Sequence, residues 1–204
     1  MKYNVLIIGG GVSGISCALV LGSAQHKTFA KDKTIGIITH QKASALQDAI
    51  FNNAYGIAPG TLGTELLSSS TTHLSEIYPH IIQIPNEKVL KIAGEYPNLT
   101  ITTNKGSYKT EIVVIGIGSA NTFAIDGLMD YVEPHQKALP IKNRIQLHNT
   151  DHKVTEGIYV IGTLAGWRSQ LTIAAGSGAA VATDILTLWN KGEQTHSHDS
   201  IREK

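Results

Sequence analysis

Short, almost wholly apolar runs alternate along this chain with longer stretches of mixed character, and the two patterns sort it into strands and helices. Asn4 to Ile8 is such a run, as expected of a central parallel strand covered on both faces. Glycines follow, and then the spacing predicts a helix over Gly11 to Leu21. Its apolar side is marked by Val12, Ile15, Ala18 and Leu19, and Gly22 reads as its C-terminal cap. A polar stretch, Ala24 to Lys33, leads to a second apolar strand, Thr34 to Thr39. Strand, helix and strand in this order make a βαβ unit.

The middle of the chain is less regular. Asn52 to Gly56 and Pro59-Gly60 read as loop, and Thr64 to Tyr78 as a helix despite its run of serines and threonines. A third strand is expected at Ile81 to Ile84. Three more follow at Lys88 to Ile92, Leu99 to Thr103 and Lys109 to Ile115, separated by Pro97-Asn98 and Asn104-Lys105-Gly106. Those separators are turn chemistry, so the segment reads as an antiparallel meander. A loop-rich stretch then reaches an apolar strand, Gly157 to Ile161. A long helix from Gln170 to Trp189 closes with Asn190, Lys191 and Gly192. The expected organisation is one domain over 1–192 and a polar tail over 193–204.

Composition narrows the function classes. The chain has 204 residues, 42% of them hydrophobic, and a net charge of +1. A nucleic-acid face would need a basic excess that is missing, so no nucleic-acid partner is expected. No apolar run approaches the roughly 20 residues of a membrane span, so no membrane partner is expected either. Met1-Lys2-Tyr3 and the run Val5 to Ile8 resemble the start of a signal peptide, but they pass directly into glycines with no cleavage site. A cytoplasmic location is the expectation, and the single cysteine, Cys17, agrees with a reducing compartment.

Gly9, Gly11 and Gly14 fit the G-x-G-x-x-G pattern at a strand-to-helix junction, the context that makes the pattern informative. Gly9 permits the tight turn, Gly11 lets a pyrophosphate approach the backbone, and Gly14 lets helix and strand pack closely. The helix start, with Val12 and Ser13, then turns free N–H groups and a positive dipole end toward the phosphates. The acidic residue that ordinarily follows the second strand and holds the ribose is absent. That strand ends Ile37-Ile38-Thr39-His40, and no Asp or Glu occurs from Lys33 to Gln47. Thr39 and His40 are left as uncharged ribose partners.

Other segments carry a resemblance. Gly157 to Thr163 looks like the second flavin motif of the thioredoxin reductase-like family, and Gln170 to Ala180 is similar to that family's C-terminal helix start. Val113 to Ser119 matches its motif ending the meander, and Asn53 to Gly56 its loop near the flavin. The resemblance covers most of the chain in the right order. It implies a three-layer Rossmann-like α/β fold, with a central parallel sheet, helices and an antiparallel β-meander. It implies FAD as cofactor, held by the glycine loop and by Asn53, Gly116, Gly118, Gly162 and Thr163. The start of the last helix, at Gln170, Leu171 and Thr172, would face the pyrimidine edge of the flavin, where a helix dipole favours the reduced anion. Gly176 and Gly178 would let this helix approach the first. A homodimer through the flavin domain is also implied.

Three departures qualify the activity. Cys17 stands alone, so the family's Cys-x-x-Cys pair is missing. Only Ala120 to Glu156 lies where the family inserts its nicotinamide domain, too few residues for one. The family's Gly-Asp pair is Gly162-Thr163. Gly116 to Asn121 imitates a second dinucleotide loop but is followed by no convincing helix, so it reads as loop. His148 with His152, and His196 with His198, lack the company of a metal site and read as solvated, so no metal is expected. Trp167 and Arg168, before the last helix, read equally as a flavin cover or a clamp on an anionic partner and as plain loop. Catalytic residues are not legible. Two functions stand open: an FAD oxidoreductase reduced by free NAD(P)H or a partner redox protein, and a non-catalytic dinucleotide-binding module. An empty scaffold is a third.

Overall fold

The computed structural model describes residues 2–40 and 44–198; Gln41 to Ala43, and 199–204 of the expected tail, lie outside them. The elements in order are β1 (Lys2–Ile8), α1 (Val12–Ser23), β2 (Ile35–Thr39), β3 (Ile50–Phe51), β4 (Thr61–Leu62), α2 (Gly63–Ile77) and β5 (Ile82–Pro85). There follow β6 (Val89–Glu95), β7 (Asn98–Thr103), β8 (Ser107–Ile115), β9 (Val132–Pro134), β10 (Ile145–Leu147), β11 (Lys153–Thr155), β12 (Ile158–Val160) and α3 (Leu171–Trp189).

Apolar residues on both faces of β1, β2 and β8 force these strands into the middle of a sheet, with the path β11-β12-β8-β1-β2-β5. From β12 to β5 the neighbours run parallel. β8 serves two partners on one edge. Ser107 to Thr110 pair antiparallel with β7 of the meander, while Val113 to Ile115 pair parallel with β12. One core lies between the sheet and the helices, built on Val5, Ile7, Ile37, Val114, Ala18, Leu21, Val181 and Ile185. The opposite face carries a second core, where Leu6, Ile8, Ile38 and Val113 meet Ile92, Leu99 and Ile101 of the meander and Phe123, Ile125, Leu128 and Leu147. The layers are therefore helices, parallel sheet and meander, a Rossmann-like α/β fold.

The stretch between β8 and β12 is gathered at a neck. Ile145 N–H donates to the Ser119 carbonyl at 3.0 Å, and Ala120 bridges to Arg144. Beyond it, Ile161 N–H donates to the Ile115 carbonyl at 2.9 Å, returning the chain beside the point where it left.

Several expectations are corrected. Gly22 is not a cap: α1 runs on to Ser23, and a Cβ at Gly22 would lie 2.8 Å from the Tyr78 ring that packs there. The hairpin β3–β4 and the short strands β9, β10 and β11 are additional to those expected. α3 is long and apolar enough, by length and composition, to cross a membrane, contrary to the run-length expectation. Its Val181, Ala182, Ile185 and Leu186 are buried in the helix-side core.

Candidate nucleotide-binding site

The chain moves from β1 outward through β2 to β5, then returns to β8 on the other side of β1. Strand order reverses there, and in parallel α/β sheets ligands bind in the crevice beyond the strand ends at such a point. The loops that emerge are Gly9 to Gly11 after β1 and Gly116 to Gly118 after β8. They are held in register by Gly9 N–H to the Ile38 carbonyl at 2.9 Å and Gly116 N–H to the Ile8 carbonyl at 2.8 Å.

Gly9 has φ +116°, and a Cβ there would lie 2.3 Å from the Gly116 carbonyl oxygen, so a side chain is excluded twice over. A Cβ at Gly14 would lie 1.9 Å from the Gly9 carbonyl oxygen, which brings the helix down on the turn. At Gly11 a Cβ would meet nothing within 4 Å. The turn at Gly9 and the close packing at Gly14 are as expected, and Gly11 is open on the side where ligand approach is expected.

Ser13 stands behind this cradle. Its hydroxyl would lie 2.9 Å from a Cβ at Gly116 and 2.9 Å from one at Gly162, so the ends of β8 and β12 close around it. Ser13 is 7% exposed, and its hydroxyl makes no hydrogen bond among the described residues. Gly162 N–H donates to Ser177 Oγ of α3 at 2.8 Å, and a Cβ at Gly178 would lie 2.0 Å from the Ser13 carbonyl oxygen. α3 thus crosses α1 at its first turn, and a further bond runs from Ser16 Oγ to the Ala175 carbonyl at 2.8 Å. Gly178 permits this approach. Gly176 does not, because it is exposed and a Cβ there would meet nothing within 4 Å.

Both helix starts are electrostatically uncompensated. α1 begins after Gly11 and α3 after Gln170, with no side-chain cap and no acidic residue in either first turn. α2 differs, since Glu65 accepts from Leu62 N–H at 3.2 Å. An uncapped helix start leaves N–H donors and positive partial charge facing outward. The start of α3 lies about 10 Å from its crossing with α1, at 1.5 Å per residue. Leu171 is half-buried, and Gln170 and Thr172 are exposed.

The remaining candidates divide. Thr39 is buried at the end of β2 and His40 is exposed beyond it. Thr163 is half-buried in the turn Gly162–Ala165, next to the Ser13 contact. Gly118, at φ +81°, is exposed and open. Gly116 to Asn121 is loop, as expected. Asn53 stands exposed between β3 and β4, a hairpin tied to α2 by Gly63 N–H to the Ala49 carbonyl at 2.8 Å. A broad groove along α2, lined by Glu65, Ser68, Thr72, His73 and Ile77, belongs to a different helix from the cradle.

His152 is not solvated. It is buried, its Nδ1 lies 3.0 Å from the Val160 carbonyl oxygen, and its ring centroid lies 5.9 Å from that of Trp167. Lys137 Nζ covers the same indole at 4.4 Å from its centroid. Trp167 is therefore pinned between two partners, an arrangement sequence spacing could not announce. Burial raises the Asp184 carboxyl on α3 above its ordinary range, assisted by Asp151. Cys17 is fully buried, and burial alone pushes its thiol pKa up. Such a thiol is a poor nucleophile.

Comparison with solved structures gives the same architecture from end to end. A thioredoxin reductase from Gloeobacter violaceus superposes with a TM-score of 0.73 at 14% identity, covering 98% of this chain and 99% of that one. An oxidoreductase from Agrobacterium tumefaciens gives 0.69 at 14% identity, covering 92% and 99%. The atypical thioredoxin reductase TRi from Desulfovibrio vulgaris Hildenborough gives 0.68 at 13%, covering 95% and 100%. At these identities the likeness is one of fold. No curated protein sequence is significantly similar to the chain. The family model of pyridine nucleotide-disulphide oxidoreductases, however, matches residues 3–178, from β1 through the crossing glycine of α3. With the glycine cradle and the sheet that carries it, this match makes the chain a member of the pyridine nucleotide-disulphide oxidoreductase family.

Proposed function

We propose that this chain is a small FAD-binding oxidoreductase that works at a bound flavin without a dithiol, taking electrons from free NAD(P)H or from a partner redox protein. The observation that carries the reading is the pair of uncapped helix starts, one at an open glycine cradle and the other about 10 Å along α3 from its crossing with the first turn of α1. Two such starts suit the two ends of one flavin dinucleotide, the phosphates at one and the ring at the other, joined by its ribityl chain. Bound there, FAD would supply a ring that accepts and returns electrons.

The chain's own residues have separable tasks. The backbone N–H groups of Gly11, Val12 and Ser13 hold the pyrophosphate, with the open side of Gly11 admitting it. Gly116, Gly118, Gly162 and Thr163 line the ribityl chain. The first turn of α3, at Gln170, Leu171 and Thr172, sets positive potential against the pyrimidine edge and so favours the reduced anion. Cys17 takes no part, being one buried thiol without a partner cysteine in the sequence. The neutral residues at Thr39 and Thr163 favour a second reading, a dinucleotide-binding module without turnover.

The two readings part on one preparation. The purified protein is expected to be yellow, to release about one FAD per chain, as a single glycine-loop site requires, and to bleach anaerobically with NADPH or NADH. A yellow protein that no electron donor bleaches would favour the module. A colourless protein that takes up no added FAD would exclude both flavin readings.

A further inference from the structure

The ribose end of the cradle differs from an ordinary dinucleotide site in charge. In such sites a carboxylate after the second strand accepts from the ribose hydroxyls, and its charge repels a phosphate on the 2′ oxygen. Here β2 ends in Thr39 and His40, with no Asp or Glu from Lys33 to Gln47. Thr39 is 6% exposed and, by strand alternation, shares the α1 face of β2 with Ile35 and Ile37. Its hydroxyl makes no hydrogen bond among the described residues.

The backbone brings the end of β2 beside the glycine loop. The Thr39 carbonyl accepts from Asn86 N–H at 2.7 Å, and the Ile38 carbonyl from Gly9 N–H at 2.9 Å. The carboxylate that follows Asn86 is already engaged by the meander. Glu87 is buried and accepts from Thr103 Oγ1 at 2.6 Å and from the Tyr108 hydroxyl at 2.9 Å. The end of β2 therefore presents a hydroxyl with no partner among the described residues and, one residue on, an exposed imidazole. Both can donate to an anion, and neither carries the negative charge that a carboxylate would set against a phosphate.

We propose that this end of the site accepts a phosphorylated adenosine ribose, so that NADP(H) binds at the glycine loop in preference to NAD(H) and in competition with FAD. Thr39 Oγ1 and the His40 imidazole N–H donate to the 2′-phosphate oxygens, while the first turn of α1 holds the pyrophosphate. The proposal rests on the reading that the loop binds an adenine dinucleotide. It makes the adenosine end, not the flavin end, the source of selectivity.

Calorimetric titration of the protein, freed of bound nucleotide, with NADP+, NAD+ and FAD tests it. NADP+ is expected to bind at least about tenfold more tightly than NAD+, the scale of one hydrogen bond to a charged group, and FAD is expected to displace it. In His40→Ala the preference should fall toward parity, and in Thr39→Glu it should turn over in favour of NAD+. Equal affinities for NAD+ and NADP+, NADP+ that FAD fails to displace, or binding of FAD alone would each overturn the proposal while leaving the flavin reading standing. Failure to bind any of the three would remove both.

Discussion

At Lys191 the backbone turns left-handed, with φ +60°, to close α3. Gly192 N–H donates to the Thr187 carbonyl at 2.8 Å and Lys191 N–H to the Leu188 carbonyl at 3.1 Å, the paired bonds of a Schellman ending. The sequence announced a stop at Asn190, Lys191 and Gly192, but the composition of the triplet could not say which residue would take the strained turn. A lysine there costs more than a glycine would. Lys191→Gly is therefore expected to stabilise the fold by about 0.5–1 kcal/mol once glycine's own entropy is offset, read as a higher midpoint in urea. The same scale separates the legible part of the site from the illegible. The cradle glycines were readable because each residue type answers a backbone demand at a fixed offset. The hydroxyls of Ser13 and Thr39, without a hydrogen bond among the described residues, were not, because whether a hydroxyl is partnered depends on its neighbours in space, which for Ser13 include Gly116 and Gly162, more than a hundred positions away.

Between elements, the decisive contact is the crossing of α1 and α3. Gly176 and Gly178 carry equal weight in the sequence, yet residues two apart on a helix point about 200° away from each other, so only one can face α1. Gly178 does. Gly178→Ala would set a methyl 2.0 Å from the Ser13 carbonyl oxygen and displace the bond from Gly162 N–H to Ser177. A loss of about 1–3 kcal/mol is expected, as for overpacking, together with weaker FAD binding in a fluorescence titration. Gly176→Ala, in open space, is the control and is expected to stabilise α3 by about 0.5–1 kcal/mol. Other elements were legible in proportion to their length. The meander strands span enough positions to show their pattern and are bounded by turn residues. β9, β10 and β11 have three residues each and β3 and β4 two, too few for alternation to register. Gly22 misled because a glycine after an apolar helix usually caps it, whereas here Tyr78 needs the space.

Across the whole molecule, the two faces of the sheet carry separate cores, and β1 and the end of β8 belong to both. Amides of Val5 to Ile8 and Val113 to Ile115 are expected to exchange most slowly with solvent deuterium, and those of the β3–β4 hairpin among the fastest. Uniform protection would contradict that hierarchy. The fold was legible at this scale because apolar strands, the glycine loop and the meander occur in an order few architectures share. The ligand was less so, since a cradle fixes the phosphates and leaves the rest of the nucleotide to scattered side chains. The neck at Ser119–Ala120 and Arg144–Ile145 has a further consequence for how such a chain can grow. Because the polypeptide departs from β8 and rejoins at β12 through adjoining points, the sheet is insensitive to the mileage in between. Doubling a flexible loop adds only about 0.6 kcal/mol of closure entropy. Near Ile141, exposed on the far side of the neck, the chain has a natural splice point, where a guest module could be grafted in while the host's hydrogen-bond register stays as it is.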